Sequence, residues 1–181
     1  MPEKFALSDI KTLRERAHQH IEGGAVTDHY EGDKTTVLRL LNEALATEIV
    51  CSLRYKRHYY TAKGITSSAI AQEFLEHARE EERHADLFAE RISQLGGDPN
   101  FSPYDLGERS HAEYVEGNSL LDMIREDLIA ERIAIESYGE IIRYLGHDDP
   151  TTRRLFEQVL AVEEEHAADM SDLIERTAHN H

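Results

Sequence analysis

The 181-residue chain is one domain's worth of sequence, long enough to bury a core, and leaves room for at most a very small second domain. Its 36 Asp and Glu against 20 Lys and Arg give a formal net charge of −16, which repels phosphate backbones and anionic membrane surfaces, so nucleic acid is not expected as a partner. The lone cysteine, Cys51, excludes an intrachain disulfide and any paired-thiol zinc or redox motif. Met1 is not followed by a basic head and an apolar run, and no stretch reaches about 18 apolar residues, so the chain is expected to be cytoplasmic and to cross no membrane.

The first element expected is a short helix over residues 8–21, with Ile10, Leu13, Ala17 and Ile21 on one stripe and Gly23 and Gly24 behind it. It lies in an N-terminal extension, residues 1–32, packed outside the main body. Residues 33–181 carry four long segments of helical periodicity. Asp33 can cap the first, which runs to about Ala62 with Gly64 as terminator. Thr66 or Ser67 opens the second, which runs to Leu95 and stops at Gly96, Gly97 and Pro99. Asn118 or Ser119 opens the third, with Ser119 three residues before Asp122 in a capping-box pattern, and Gly146 closes it. The fourth starts at Asp149 and Pro150, a cap followed by proline in the first turn, and fades near Thr177.

The connections inside the first and last pairs are short enough to force antiparallel hairpins. Residues 96–117 are too many for a turn. Extended at about 3.3 Å per residue, they can run the ~40 Å length of a helix, as a crossover would. The fold expected is all-α: a four-helix bundle with a long crossover between its second and third helices.

Glu-x-x-His puts a carboxylate and an imidazole one turn apart on one helix face, where both can bind one cation. Four such pairs occur: Glu15/His18, Glu81/His84, Glu108/His111 and Glu163/His166. Glu15 and His18 lie off the apolar stripe of their helix, and Glu108 and His111 fall in the Pro/Gly-rich crossover, so both pairs read as solvated surface. The other two replace core residues, in the stripes Ile70, Phe74, His77, Glu81, His84, Phe88 and Phe156, Val159, Glu163, His166, Met170, Leu173. The first and third segments carry lone carboxylates in their stripes, Glu48 and Glu131, each with a tyrosine seven residues on, Tyr55 and Tyr138.

Glu48 precedes Glu81 by 33 residues and Glu131 precedes Glu163 by 32, so the two hairpins read as copies of one unit. Counting from the hairpin turns brings four carboxylates and two imidazoles to one level. A buried unpaired carboxylate costs several kcal/mol, and no Lys or Arg sits on these stripes in that layer, so two divalent cations are the expected counter-charge. Hard oxygen donors with two imidazoles suit iron or manganese better than zinc.

On these residues the chain resembles the ferritin-like superfamily, most closely its bacterioferritin and Dps-like branches, over roughly residues 33–177. Glu48, Glu81, His84, Glu131, Glu163 and His166 fall in the order and near the spacing of that family's di-iron ligands, and Tyr55 and Tyr138 match tyrosines flanking the centre. The resemblance implies a ferritin-like four-helix bundle with an intrasubunit di-iron (Fe) centre. Glu81 and Glu163 would bridge, Glu48 and Glu131 would each bind one ion, and His84 and His166 would complete the set. The implied activity is that of a ferroxidase, which oxidises Fe(II) with dioxygen or hydrogen peroxide and stores the Fe(III) mineral inside a homo-oligomeric cage.

Two departures refine this. Bacterioferritins carry a haem-ligating methionine directly after the first Glu of the earlier Glu-x-x-His pair, where this chain has Glu82, so haem is not expected. Only 18 residues follow Glu163, which resembles the ending of Dps-like chains without a fifth helix and implies a dodecamer. The thiol pair of some Dps-like relatives is also missing. Rubrerythrin-like peroxidases, manganese catalases and metal-stabilised interaction bundles share the fold, and spacing does not separate them. Cys51 reads as a small core-flanking residue, and His77 either as a core histidine or as a group beside the metal. His18, His20, His29, His179 and His181 are assigned no site.

Overall fold

The structure, a computed structural model, describes residues 6–62 and 67–178, and within them it is helical with no strand. Helix α1 spans Ile10–Ala17, α2 Lys34–Thr61, α3 Ser67–Gln94, α4 Leu106–Arg109, α5 Leu120–Leu145 and α6 Pro150–Ala178. Gly64 and Thr66, expected to close and open the first two long helices, lie outside the described residues, as do residues 179–181. The caps have local causes. The Asp33 carboxylate accepts from the Thr35 and Thr36 amides, Ser119 Oγ from the Asp122 amide, and Asp149 from the Thr152 amide. Gly146 follows α5 with φ of +50°, in the left-handed region where a Cβ is penalised.

The first helix is shorter than expected. Asp9 caps it, Ala17 ends it, and a 3-10 turn over Ile21–Gly23 replaces its last part. Its apolar stripe meets solvent: Ile10 is 85% exposed and Ile21 72%. With no burial to reward a longer helix, local propensity decides its length. The extension is tied down further on, by Val26 and Tyr30 packing on the core and by the Tyr30 hydroxyl donating to Asp149 at 2.8 Å.

Cross-helix pairs establish the topology. Ser52 of α2 bonds the Ala78 carbonyl of α3, and Glu48 meets His84, so these two helices are antiparallel. Tyr55 and Tyr138 make α2 antiparallel to α5 by reaching Glu131 and Glu48. Helix α3 therefore points the same way as α5, and the chain between them must return the length of the bundle. It does so alongside α2. Asn100 binds Asn42, the His111 amide binds Thr47 Oγ1, Arg54 binds the Glu113 carbonyl and His58 the Glu116 carbonyl.

Under this strap lies a charged network off the stripes used to place the core. Arg54, His58 and Asp127 are all fully buried; Arg54 Nε donates to Asp127 Oδ1 at 2.8 Å, and His58 Nδ1 lies 2.8 Å from Oδ2. Two apolar clusters fill the bundle. One holds Leu41, Leu45, Phe88, Ile92, Tyr138, Phe156 and Val159; the other holds Tyr55, Ile70, Phe74, Met123, Ile124 and Met170. Removing one member of a buried ion pair leaves the other charge without compensation. Asp127→Ala is therefore expected to lower folding stability by about 3–5 kcal/mol in chemical denaturation, and an unchanged midpoint would show that Arg54 finds another partner.

Candidate metal centre

Between the two apolar clusters the stripes of all four long helices turn polar at one level. Glu48 comes from α2, Glu81 and His84 from α3, Glu131 from α5, and Glu163 and His166 from α6. All six are buried, none more than 6% exposed. The structure brings every one of these residues together. Their donor atoms form two overlapping groups, Glu48, Glu81, His84 and Glu163, and Glu81, Glu131, Glu163 and His166, in each of which the atoms lie within 4.8 Å of one another. Glu81 and Glu163 belong to both.

His84 Nδ1 lies 2.9 Å from Glu163 Oε1 and 3.3 Å from Glu48 Oε2; His166 Nδ1 lies 3.3 Å from Glu81 Oε1 and 3.4 Å from Glu163 Oε2. The tyrosines connect the hairpins crosswise. Tyr55 of the first donates to Glu131 of the second at 2.5 Å, and Tyr138 of the second donates to Glu48 of the first. Even so, Glu81 Oε1, Glu131 Oε2, both Glu163 oxygens and His166 Nδ1 are buried without a hydrogen bond. Fully buried Arg54 is turned to Asp127 and does not serve them.

Burial, then the charges of Glu163 and Glu81, pushes the Glu48 carboxyl well above the ordinary glutamate range; burial, then Glu81 and Glu163, does the same to Glu131. Glu81 moves the other way: burial opposes its charge, but its neighbours Glu48, His166 and His84 hold it well below that range. Burial also disfavours charge on His84 and His166, yet the carboxylates close to each ring, Glu163 first, push both up to about 12. Protons on Glu48, Glu131, His84 and His166 thus do what cations would otherwise do. Four carboxylates facing one another carry −4, which two divalent ions cancel, so the donor set and its orphaned atoms fit a pair of metal ions.

The rejected pairs stay apart from this layer. Glu15 is exposed on α1 and His18 just past its end, Glu108 is exposed on α4, and His111 turns to Glu43 at 3.4 Å. Cys51 is buried and burial raises its thiol pKa well above the ordinary value, as befits a packing residue. Two contacts lie beyond what the stripes give, although His77 itself stands on one and reads there either as a core histidine or as a group beside the metal. Half-buried Glu80 reaches His166 Nε2 at 2.8 Å, orienting the ring so that Nδ1 faces the carboxylates. His77 stacks on His166 with ring centroids 4.0 Å apart and stands near Glu73 and Asp169. Only the placement of α6 against α3 creates either contact.

Residues 38–179 match the ferritin-like domain family. The chain belongs to that family. It is 29% identical over 137 residues to a bacterioferritin of Desulfovibrio desulfuricans, covering 75% of this chain and 73% of that one. The structure of the D. desulfuricans bacterioferritin, solved with its diiron site in different catalytic states, superposes with a TM-score of 0.73 at 26% identity, covering 83% and 84% of the two chains. A DNA protection during starvation protein of Pyrococcus furiosus is 32% identical over 148 residues, 78% of each chain. A dodecameric thioferritin, the bacterioferritin-related protein of Bacteroides fragilis, superposes with a TM-score of 0.79 at 30% identity, over 82% of this chain and 90% of that one. This ferritin-like chain has, among its described residues, no helix long and apolar enough to cross a membrane.

The pKa directions fix a pH response for protein stripped of metal by a chelator. Glu48 and Glu131 hold protons above the 4.5 of an ordinary glutamate, and His84 and His166 hold them from 6.5 to about 12. A raised pKa contributes stability that is complete below the unfolded value and is lost as pH climbs through the folded one. Glu81, held low, contributes above 4.5 and loses that contribution as the solution is acidified. Above pH 6.5 His84 and His166 lose their contribution together, and Glu48 and Glu131 act in the same direction. The melting temperature of stripped protein should therefore fall steadily as pH rises from 6.5, and a rise over that range would contradict the assignment.

Proposed function

We propose that the chain is a ferroxidase that oxidises Fe(II) and stores the Fe(III) product in a self-assembled homo-oligomeric cage. The observation that carries this reading is the layer of four buried glutamates, with oxygens of Glu81, Glu131 and Glu163 left without a hydrogen bond, flanked by two imidazoles. Glu48, Glu81, His84 and Glu163 would hold one Fe(II), and Glu81, Glu131, Glu163 and His166 the other, with Glu81 and Glu163 shared. The paired irons, as substrate, each give one electron to dioxygen or hydrogen peroxide. Iron is favoured over manganese by the likeness to the D. desulfuricans bacterioferritin, whose structure was solved with a diiron site.

The chain's own groups prepare the site. Glu48 and Glu131 release their protons to become ligands, and His84 and His166 release theirs to offer Nδ1. The Tyr55 and Tyr138 hydroxyls hold one oxygen of Glu131 and of Glu48, leaving the other free to turn to metal. Glu80 fixes the His166 ring. The two apolar clusters close the layer on either side along the bundle, so charge forming there acts in a medium of low dielectric constant.

Haem is not part of this reading. Glu82, where bacterioferritins place a methionine, is ion-paired with Lys56 beside a pocket of about 500 Å³ that also holds Ile49, Leu53 and Phe101. DNA contact is not part of it either: a net charge of −16 opposes phosphate binding, whatever the Pyrococcus furiosus relative does. This reading puts the chain in the cytoplasm, a compartment that suits a sequence with a single cysteine.

Stepwise anaerobic Fe(II) addition should saturate at two irons per chain in the buried layer. Glu81→Ala or His166→Ala should abolish rapid oxidation, whereas Glu15→Ala and Glu108→Ala, on exposed surface, should keep the wild-type rate. Circular dichroism and particle size on each variant separate lost chemistry from lost fold. Should folded Glu81→Ala oxidise Fe(II) at the wild-type rate, the centre lies elsewhere. By the likeness to the dodecameric thioferritin, the assembled particle should weigh twelve times 20.7 kDa, about 250 kDa, in light scattering. A stable monomer, or a particle near twice that mass, would reject the dodecamer.

A further inference from the structure

One turn beyond His166 on α6, and one turn before Glu81 on α3, a second set of metal-binding side chains converges outside the buried layer. Its members are Glu73 and His77 of α3 and Asp169 of α6, with donor atoms within 4.8 Å of one another. The set is graded in exposure: the side chain of His77 is 4% exposed, that of Glu73 39% and that of Asp169 52%. His77 Nε2 lies 3.5 Å from Asp169 Oδ2 and 3.8 Å from Glu73 Oε1, and among the described residues it makes no hydrogen bond.

The hydrogen bonds on the other side of the ring decide what Nε2 offers. The Tyr55 hydroxyl has one proton, and donates it to the Glu131 carboxylate at 2.5 Å. Its oxygen is left to accept from His77 Nδ1, 3.3 Å away. A neutral His77 with its proton on Nδ1 presents a bare lone pair at Nε2, and that lone pair faces two carboxylates that are themselves acceptors. Three acceptors aimed at one point, one of them on a buried ring, are completed by a cation.

We propose that Glu73, His77 and Asp169 form a third divalent-cation site, open to solvent on one side, that takes up Fe(II) ahead of the buried pair. Two carboxylates and one imidazole neutralise a divalent ion and leave coordination positions for water, which makes the ion exchangeable. Its place beside the centre follows from His77 stacking on His166 at 4.0 Å, and from the chain His77, Tyr55, Glu131 that links the two sets. The buried layer has no ligand more than 6% exposed, so an ion must first meet a half-exposed donor set, and this one adjoins it. The cation site stands on its own residues; its role as an entry position rests on the ferroxidase reading.

The test uses the assembled full-length protein and Co(II), which binds without being oxidised by air during the measurement. Cobalt is counted by visible absorption and by metal analysis after equilibrium dialysis. Wild type should bind three Co(II) per chain, the Glu73→Gln, Asp169→Asn double variant two, and Glu81→Gln should keep the outer ion while losing cobalt from the buried pair. Both substituted carboxylates in the double variant are partly exposed, so folding is retained, and circular dichroism checks it. With Fe(II) and air, the double variant should oxidise several-fold more slowly than wild type at limiting iron and converge on it at high iron. Saturation of wild type at two Co(II), or an unchanged count in the double variant, overturns the site. An unchanged rate at limiting iron with the cobalt count reduced to two overturns the entry role alone. Wild type that binds three Co(II) but oxidises no Fe(II) sinks the ferroxidase reading and leaves the third site standing.

Discussion

Four glutamates cannot share one dry layer of a helix bundle as four free anions. Each would cost several kcal/mol to bury unpaired, and at separations of a few ångströms they also repel one another. The structure answers with counter-charge from every side. Two imidazoles lie among the carboxylates, two tyrosines donate to them, and Glu48 and Glu131 keep their protons. Much else follows from this constraint. Apolar clusters occupy the bundle to either side of the polar layer, and the oxygens still without partners are those best placed to take a metal ion.

The repeat of two hairpins matters because it supplies the charges in matched halves. Glu48, Tyr55, Glu81 and His84 in the first correspond to Glu131, Tyr138, Glu163 and His166 in the second. Each tyrosine serves the carboxylate of the opposite hairpin, so neither half is satisfied alone. This ties formation of the site to docking of the two hairpins. The crossover then has a physical duty. It makes α3 and α5 point the same way, and it covers a face of α2 where Asp127 binds both Arg54 and His58 away from the glutamate layer. The one fully buried arginine is in this way kept from competing for the glutamates.

The surroundings of the layer are asymmetric. At the α3–α6 side, half-exposed Glu80, Glu73 and Asp169 lie next to buried His166 and His77, grading from solvent to interior. Carboxylates at the rim favour cations of the kind the interior requires, and imidazoles carry the set inward. The same side therefore carries both the group that orients His166 and the donors proposed to receive an incoming ion.

The four long helices, their caps at Asp33, Ser119 and Asp149, and the six residues that share a level were legible in the sequence. A helix rises 1.5 Å per residue and turns every 3.6, so face and height follow from counting once the hairpin turns are marked. Counting also separated the two interior Glu-x-x-His pairs from Glu15/His18 and Glu108/His111. It could not show that Tyr55 crosses to Glu131, that Glu80 reaches His166, or that Arg54, His58 and Asp127 are buried beneath the strap. Nor could it show that the stripe of α1 is left in solvent. Each of these depends on how far and at what angle a neighbouring element lies. Those quantities are set by side-chain packing summed over the whole bundle, whereas periodicity is a property of one helix at a time.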